Sequence, residues 1–341
     1  MKTKSMASTV LWIPLLLLLH PAAPLAQTAT DAKIIEGAKK EGAVMWYTSM
    51  AIDQSKVVVD RFQQRYPFIK TSFLRLGGGA VMNRVLTEAR AGKQLFDVVG
   101  GRGEMIQAFK ERGLLGSYRS PETAMIDQDL FDKEGYWYVY YVVPNSLGYN
   151  TKLVKKEEVP KTYEELLHPK WKGRKISMDN EGYLLLQGLI SAWGREKALD
   201  YMRKLAGQEP VLSRGNTERV TMTSAGEYPL VIAYAHAVER EKFKGGPMDW
   251  IALEPAVVEI DPLMIASKAP NPNAARLFLD YVLSKEGQEM LLEFQRIPVR
   301  KDVEPKPARL FRGYQRVIER PDDYRYFSEN VKLFQEIFKT R

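Results

Sequence analysis

Apolar and polar positions along the chain alternate between a period of about 3.6 residues and a period of 2, and each switch marks an element. Ile34, Ile35 and Ala38 share one face of a helix predicted over Asp31–Lys40. Ala43–Tyr47 reads as a short apolar strand that runs into the polar pair Thr48-Ser49. Ser55–Tyr66 is helical and is stopped by Pro67, whose missing N–H and fixed φ end a helix. Ile69–Leu76 alternates as a strand into Gly77-Gly78-Gly79, and a helix over Val81–Ala91 ends at Gly92. Leu95–Val99 is a strand, Gly100–Gly103 a loop, and Glu104–Arg112 a helix closed by Gly113. Repeated strand–helix units predict the α/β class with a mostly parallel sheet. Loops at the strands' carboxyl ends then form the ligand crevice.

Tyr136–Asn150 breaks this rhythm. It is an aromatic and β-branched run too long and continuous for an average strand, as expected of a segment crossing between two lobes. Strand–helix alternation resumes after Pro160 and continues to Trp250, and Ile260–Ser267 is the natural return crossing. Helices follow over Pro272–Ser284 and Ser284–Phe294. Phe327, Val331, Phe334 and Phe338 make a stripe on a last one, read as core packing.

The N-terminus changes the picture from fold to destination. Lys2 and Lys4 precede an apolar run densest at Leu15–Leu19, then Ala22-Ala23-Pro24-Leu25-Ala26, the order of a secretory signal peptide cleaved near Ala26. Pro14 and Pro21 interrupt the run, which is shorter than the roughly 20 residues a membrane span needs. Loss of Lys2 and Lys4 with that peptide lowers the formal charge from +8 to +6. The basic residues are interleaved with acids and lack the aromatic-spaced basic runs of a nucleic-acid surface, so no nucleic-acid partner is expected. The absence of cysteine removes a lipid-anchoring thiol and any disulfide. An exported chain without a lipid anchor is retained by a second membrane, which points to a periplasm. About 315 residues after processing exceed one average domain and predict two lobes.

Enzyme signatures are missing. No Gly-x-x-x-x-Gly-Lys-Ser/Thr loop and no Gly-x-Ser-x-Gly elbow occurs. Gly100-Gly101-Arg102-Gly103 lacks the third glycine of a dinucleotide loop. Beyond the peptide, only His168 and His236 are available for a triad or zinc site, and His168 precedes Pro169 in a polar turn. No cofactor and no catalytic residue is predicted.

Several segments together resemble the ferric-iron-type branch of family 1 extracellular solute-binding proteins of ABC importers. The most specific is PKTYEELLHPKWKGRKI, Pro160–Ile176. VVPNSLGYNT (Val142–Thr151), SAGEYPLVIAY (Ser224–Tyr234), PNPNAARLFLDYVLSKEGQEML (Pro270–Leu291) and RIPVRKDV (Arg296–Val303) follow the same pattern in the same order. The resemblance implies the periplasmic-binding-protein type II fold. That fold has two α/β lobes, each a mostly parallel sheet flanked by helices, joined by two crossing strands and closing on a solute for a membrane permease. The expected boundaries are a signal peptide over 1–26, one lobe of 27–139 plus 266–316, and a second of 140–265 plus 317–341. A monomer is expected, with an ABC permease in the inner membrane as partner.

The loops depart from the branch's iron ligands. The resemblance implies a histidine after the first strand, an acid after the third, and adjacent tyrosines after the Gly-Glu segment. This chain has Thr48-Ser49-Met50-Ala51, Arg102 and Tyr234-Ala235-His236-Ala237 there. Tyr140-Tyr141 is adjacent but lies on the crossing strand and is read as structural. Arg102 and Arg214 offer forked donors to a carboxylate or phosphoryl group. Thr48 and Ser49 add hydroxyls, and Gly77–Gly79, with Gly78 at its centre, and Gly100–Gly103 precede helices whose free N–H groups favour negative charge. Tyr234 and His236 flank the organic part, while Asn180, with Glu181 beside it, and Asn216 lie at the rim of the second lobe. The expected ligand is a small organic anion held by Thr48, Ser49, Gly78, Arg102, Asn180, Arg214, Asn216, Tyr234 and His236, with no metal. The rival expectations are ferric iron or an iron chelate on Tyr234 and His236, and a periplasmic enzyme or sensor partner on the same fold.

Overall fold

The computed structural model describes residues 29–340, so the signal peptide predicted over 1–26 lies outside the described residues. Its strands are β1 (Ala43–Thr48), β2 (Lys70–Arg75), β3 (Val98–Gly100), β4 (Leu115–Gly116), β5 (Tyr138–Asn150), β6 (Ile176–Asp179), β7 (Val211–Ser213), β8 (Leu230–Tyr234), β9 (Met248–Ile251), β10 (Ala256–Ala266), β11 (Ile297–Pro298) and β12 (Arg316–Ile318). The helices are α1 (Ala29–Glu41), α2 (Ile52–Arg65), α3 (Gly78–Arg90), α4 (Glu104–Lys110), α5 (Tyr183–Trp193), α6 (Arg195–Ala206), α7 (Asn216–Ser224), α8 (Ala235–Phe243), α9 (Pro272–Leu283), α10 (Lys285–Leu291) and α11 (Phe327–Phe338).

The sheet order β2-β1-β3-β10-β5-β8-β6-β7 divides at the two long strands. β2-β1-β3 is parallel on one side and β7-β6-β8 parallel on the other, while β5 and β10 run antiparallel to each other and to β8 and β3, and β12 joins β10 in parallel. Along β5, Tyr138–Pro144 pairs with β10 and Asn145–Tyr149 with β8, so the strand changes partner between Pro144 and Asn145. The expected crossings are therefore β5 and β10, and the fold is two-lobed. In β5 every residue but Asn145 is buried, and β10 is buried throughout. A strand covered on both faces reads as an unbroken apolar run, which is why this segment stood out in the sequence.

One hydrophobic cluster gathers Trp46, Phe62, Val99 and Phe278 under the first half; a second gathers Leu147, Met178, Leu186 and Phe334 under the other. The α11 stripe packs as expected: Phe334 is fully buried against Phe338, and Phe327 meets the Tyr183 ring at 5.2 Å. One boundary differs in a way that matters for the cleft. Gly78 and Gly79, read as loop, form the first turn of α3 with Gly77 as its cap. A β-carbon on Gly78 would stand 2.9 Å from Arg102 Cδ, so the glycine lets the helix start directly against that side chain.

Candidate functional site

Loops at the carboxyl ends of β1 and β3 in one half face those of β6, β7 and β8 in the other. Between them lies a void of about 20 Å³, room for about one water, lined by Arg102, Asn145, Asp179, Glu181, Asn216, Arg219, Tyr234 and Glu259 among others. A larger open depression of about 530 Å³ lies elsewhere, among Glu289, Glu293, Asp302, Glu304 and Lys306, and draws on one half only.

Arg102 comes from the β3–α4 turn and reaches across the cleft. Its Nη1 donates to Glu181 Oε2 at 2.8 Å and to Tyr183 Oη at 3.3 Å. Arg214, on the loop between β7 and α7, donates from Nη2 to Glu181 Oε1 at 2.6 Å. One carboxylate is thus held by two guanidinium groups. Arg102 and Glu181 are each 15% exposed, whereas Arg214 is 65% exposed. Burial by itself would lower the Arg102 guanidinium, but Tyr234, Glu104, Tyr183 and Glu181 hold it well above its ordinary value.

Beneath this bridge, Tyr234 Oη donates to Glu259 Oε2 at 2.6 Å and Asn145 Nδ2 to Glu259 Oε1 at 2.9 Å. Burial raises Glu259 against the opposing pull of Arg102, and raises Tyr234 well above the usual phenol range with help from Glu259. Arg219, 1% exposed, donates to Asp179 Oδ2 at 2.9 Å and to the Ile232 carbonyl at 2.6 Å. Burial lowers its guanidinium, and Asp179 opposes this. Glu104, at the start of α4, is fully enclosed with both carboxylate oxygens unpartnered. Burial pushes it up to about 7 although Arg102 pulls it down.

Of the residues predicted for the site, Arg102, Asn216 and Tyr234 line the void; Asn216 Oδ1 accepts from the Tyr234 N–H at 3.0 Å. Gly78 abuts Arg102, and Arg214 joins it through Glu181. Thr48 closes β1 fully buried, its Oγ1 accepting from Met50 N at 3.1 Å, and Ser49 N donates to the Gly100 carbonyl at 3.3 Å. The Asn180 Oδ1 is buried without a partner, and Asn180 is not among the residues that line the void. His236 is buried beside Tyr234 with ring centroids 5.8 Å apart, and burial, then Arg296 and Arg240, hold it well below its ordinary value and so neutral.

The reading of the loops missed Asn145, Asp179, Arg219 and Glu259. The available signals were a charge inside the buried run Ala256–Ala266, and Arg219 one helical turn after Asn216. Among the described residues no group of three or more His, Asp or Glu stands where it could hold a metal ion.

This arrangement suits the binding of a polar solute: opposed charges and amide donors from two halves surround one small void. Residues 93–312 match the family model described as "Bacterial extracellular solute-binding protein". An uncharacterized protein of Haemophilus influenzae is 27% identical over 278 residues, 78% of this chain and 80% of its own length. Iron-bound HitA of Pseudomonas aeruginosa superposes with a TM-score of 0.76 at 19% identity, covering 86% of this chain and 99% of HitA. AfuA of Actinobacillus pleuropneumoniae, a periplasmic binding protein with exogenous fructose-6-phosphate bound, gives 0.76 at 24% identity over 88% of this chain and 99% of AfuA. With a cleft between two lobes bridged by two crossing strands, and a family match over most of its length, the chain belongs to the bacterial extracellular solute-binding proteins.

Proposed function

We propose that the protein captures a small organic anion in the cleft between its lobes and delivers it to the permease of an ABC importer. The observation that carries this reading is the convergence of Arg102 and Arg214, from loops of opposite halves, on the two oxygens of one carboxylate. Forked guanidinium donors at this spacing are suited to a carboxylate or phosphoryl group. AfuA, with a phosphorylated sugar bound, supports a cargo of this kind on this fold.

A void of about 20 Å³ is far below the several hundred that a small organic ligand fills, so binding requires the lobes to part. We take the lobes as 27–139 plus 266–316 and 140–265 plus 317–341, joined through the long strands β5 and β10. Because each lobe supplies part of the site, ligand favours the closed state, and closure is what a permease recognises. Export over residues 1–26 places the protein in the periplasm in this reading.

The test is mass spectrometry of small molecules released from purified protein, followed by titration of the identified ligand. An organic anion whose affinity falls in both Arg102→Ala and Arg214→Ala is expected. Unchanged affinity in both variants overturns the assignment, and a phenolate-to-iron absorption band on ferric loading would replace it with iron capture.

A further inference from the structure

We propose that Glu181 is a built-in competitor for the anion position of the cleft, and that it scales down the affinity of every anion that must displace it. The inference rests on the anion reading above and adds a regulation to that site. Glu181 Oε2 takes Arg102 Nη1 at 2.8 Å and its Oε1 takes Arg214 Nη2 at 2.6 Å, so one Nη of each guanidinium group is already taken. The loop that carries it is fixed, since the Glu181 N–H donates to Asp179 Oδ1 at 2.9 Å. The route out is short: Arg214 is 65% exposed, so the carboxylate can leave the bridge into water on that side.

Exchange at this bridge is like for like when the ligand is a monocarboxylate. Two charge-assisted hydrogen bonds replace two of the same kind, and the free ligand also loses its translational and rotational freedom. The tethered side chain, acting at high effective concentration, wins that contest. A phosphoryl group brings a charge of about −1.5 to −2 and three acceptor oxygens, so it holds both guanidinium groups more strongly than a carboxylate does. Glu181 therefore divides the affinity of every such anion by one common factor, set by how rarely it leaves the bridge, and only intrinsically tight ligands bind.

The experiment titrates inorganic phosphate and acetate, at fixed ionic strength, into the full chain and its Glu181→Gln, Glu181→Ala and Arg102→Ala variants. In Glu181→Gln the expected result is phosphate and acetate each binding at least tenfold tighter, with the ratio of their affinities little changed. Glu181→Ala repeats this without a residual amide, and Arg102→Ala weakens both anions. If Arg102→Ala weakens phosphate but neither Glu181 variant tightens it, the competitor is overturned and the anion site stands. If Arg102→Ala leaves phosphate unchanged, or no protein of the four binds it, the anion site falls and the competitor with it.

Discussion

Arg102 Nη1 and Glu181 Oε2 meet at 2.8 Å across the cleft, although the residues lie 79 positions apart and belong to opposite halves of the sheet. The second ion pair between the cleft's walls, Arg240 to Asp53, is 3.8 Å long with Asp53 69% exposed, where screening leaves it little energy. Arg102 is therefore the principal ion pair across the cleft, while Arg309 ties the halves elsewhere through Glu239 and Asp249, each at 2.6 Å. Arg102→Lys keeps the charge but loses the fork, and should weaken the cleft ligand on the order of tenfold; Arg102→Ala should weaken it on the order of a hundredfold. Titration of the ligand recovered from the protein, with circular dichroism as the check on folding, reads both.

Arg219 supports the site from below, its guanidinium shared between Asp179 and the Ile232 carbonyl. Truncation leaves the Asp179 carboxylate without its cation in a partly enclosed position. Arg219→Ala should cost about 3–5 kcal/mol, the range for breaking a buried pair from one side. Asp179→Asn, which keeps an acceptor for Arg219, should cost less. Urea unfolding of both variants gives the comparison, and an equal loss would mean that the charge pairing, and not the retained hydrogen bond, is what Arg219 contributes.

Gly103, the cap of α4, has φ −58 and ψ −31, a backbone that any residue adopts. Its requirement is space: a β-carbon there would overlap the Tyr324 ring, whose hydroxyl donates to Glu319 at 2.7 Å. Gly103→Ala should lose about 1–3 kcal/mol by overpacking. The same change in a Tyr324→Ala background should cost almost nothing. A double-mutant cycle measures that coupling directly.

Glu104 makes stability depend on pH with a definite sign. Burial, opposed by Arg102, pushes its folded-state value to about 7 from an ordinary 4.5. The folded state therefore holds a proton that the unfolded chain releases. The associated stability is complete below about 4.5 and is lost as pH rises through about 7. Asp261, also raised to about 7 by burial against the pull of Arg296, adds in the same direction. Glu104→Gln should flatten this slope and leave the protein more stable than wild type at pH 8, by up to about 3 kcal/mol at 1.36 kcal/mol per unit. Denaturation midpoints at pH 5 and pH 8 test it.

Periodicity and a handful of segments were enough to read the architecture. A parallel βα unit announces itself locally, through strand-length apolar runs that alternate with helical faces. The crossings Tyr136–Asn150 and Ile260–Ser267 were visible because burial on both faces erases the usual alternation. Arg102, which lines the void, stood out because it occupies the place where the resembled branch has an acid.

Other features were decided only in three dimensions. That Glu181 stands between Arg102 and Arg214 depends on how two halves of the sheet close on each other. No spacing along the chain encodes a contact across 79 residues. Glu259 and Asn145 sit inside apolar strands and become cleft residues only because those strands face the void at their crossing point. Their neighbours in sequence are core residues, and the pattern that places a strand says nothing of which edge will be left open. The sequence by itself determined the elements and their order, because local burial imposes a period on the residues that make them. The tertiary structure alone decided which charges meet, because ion pairing depends on distance in space, and folding sets that distance independently of separation along the chain.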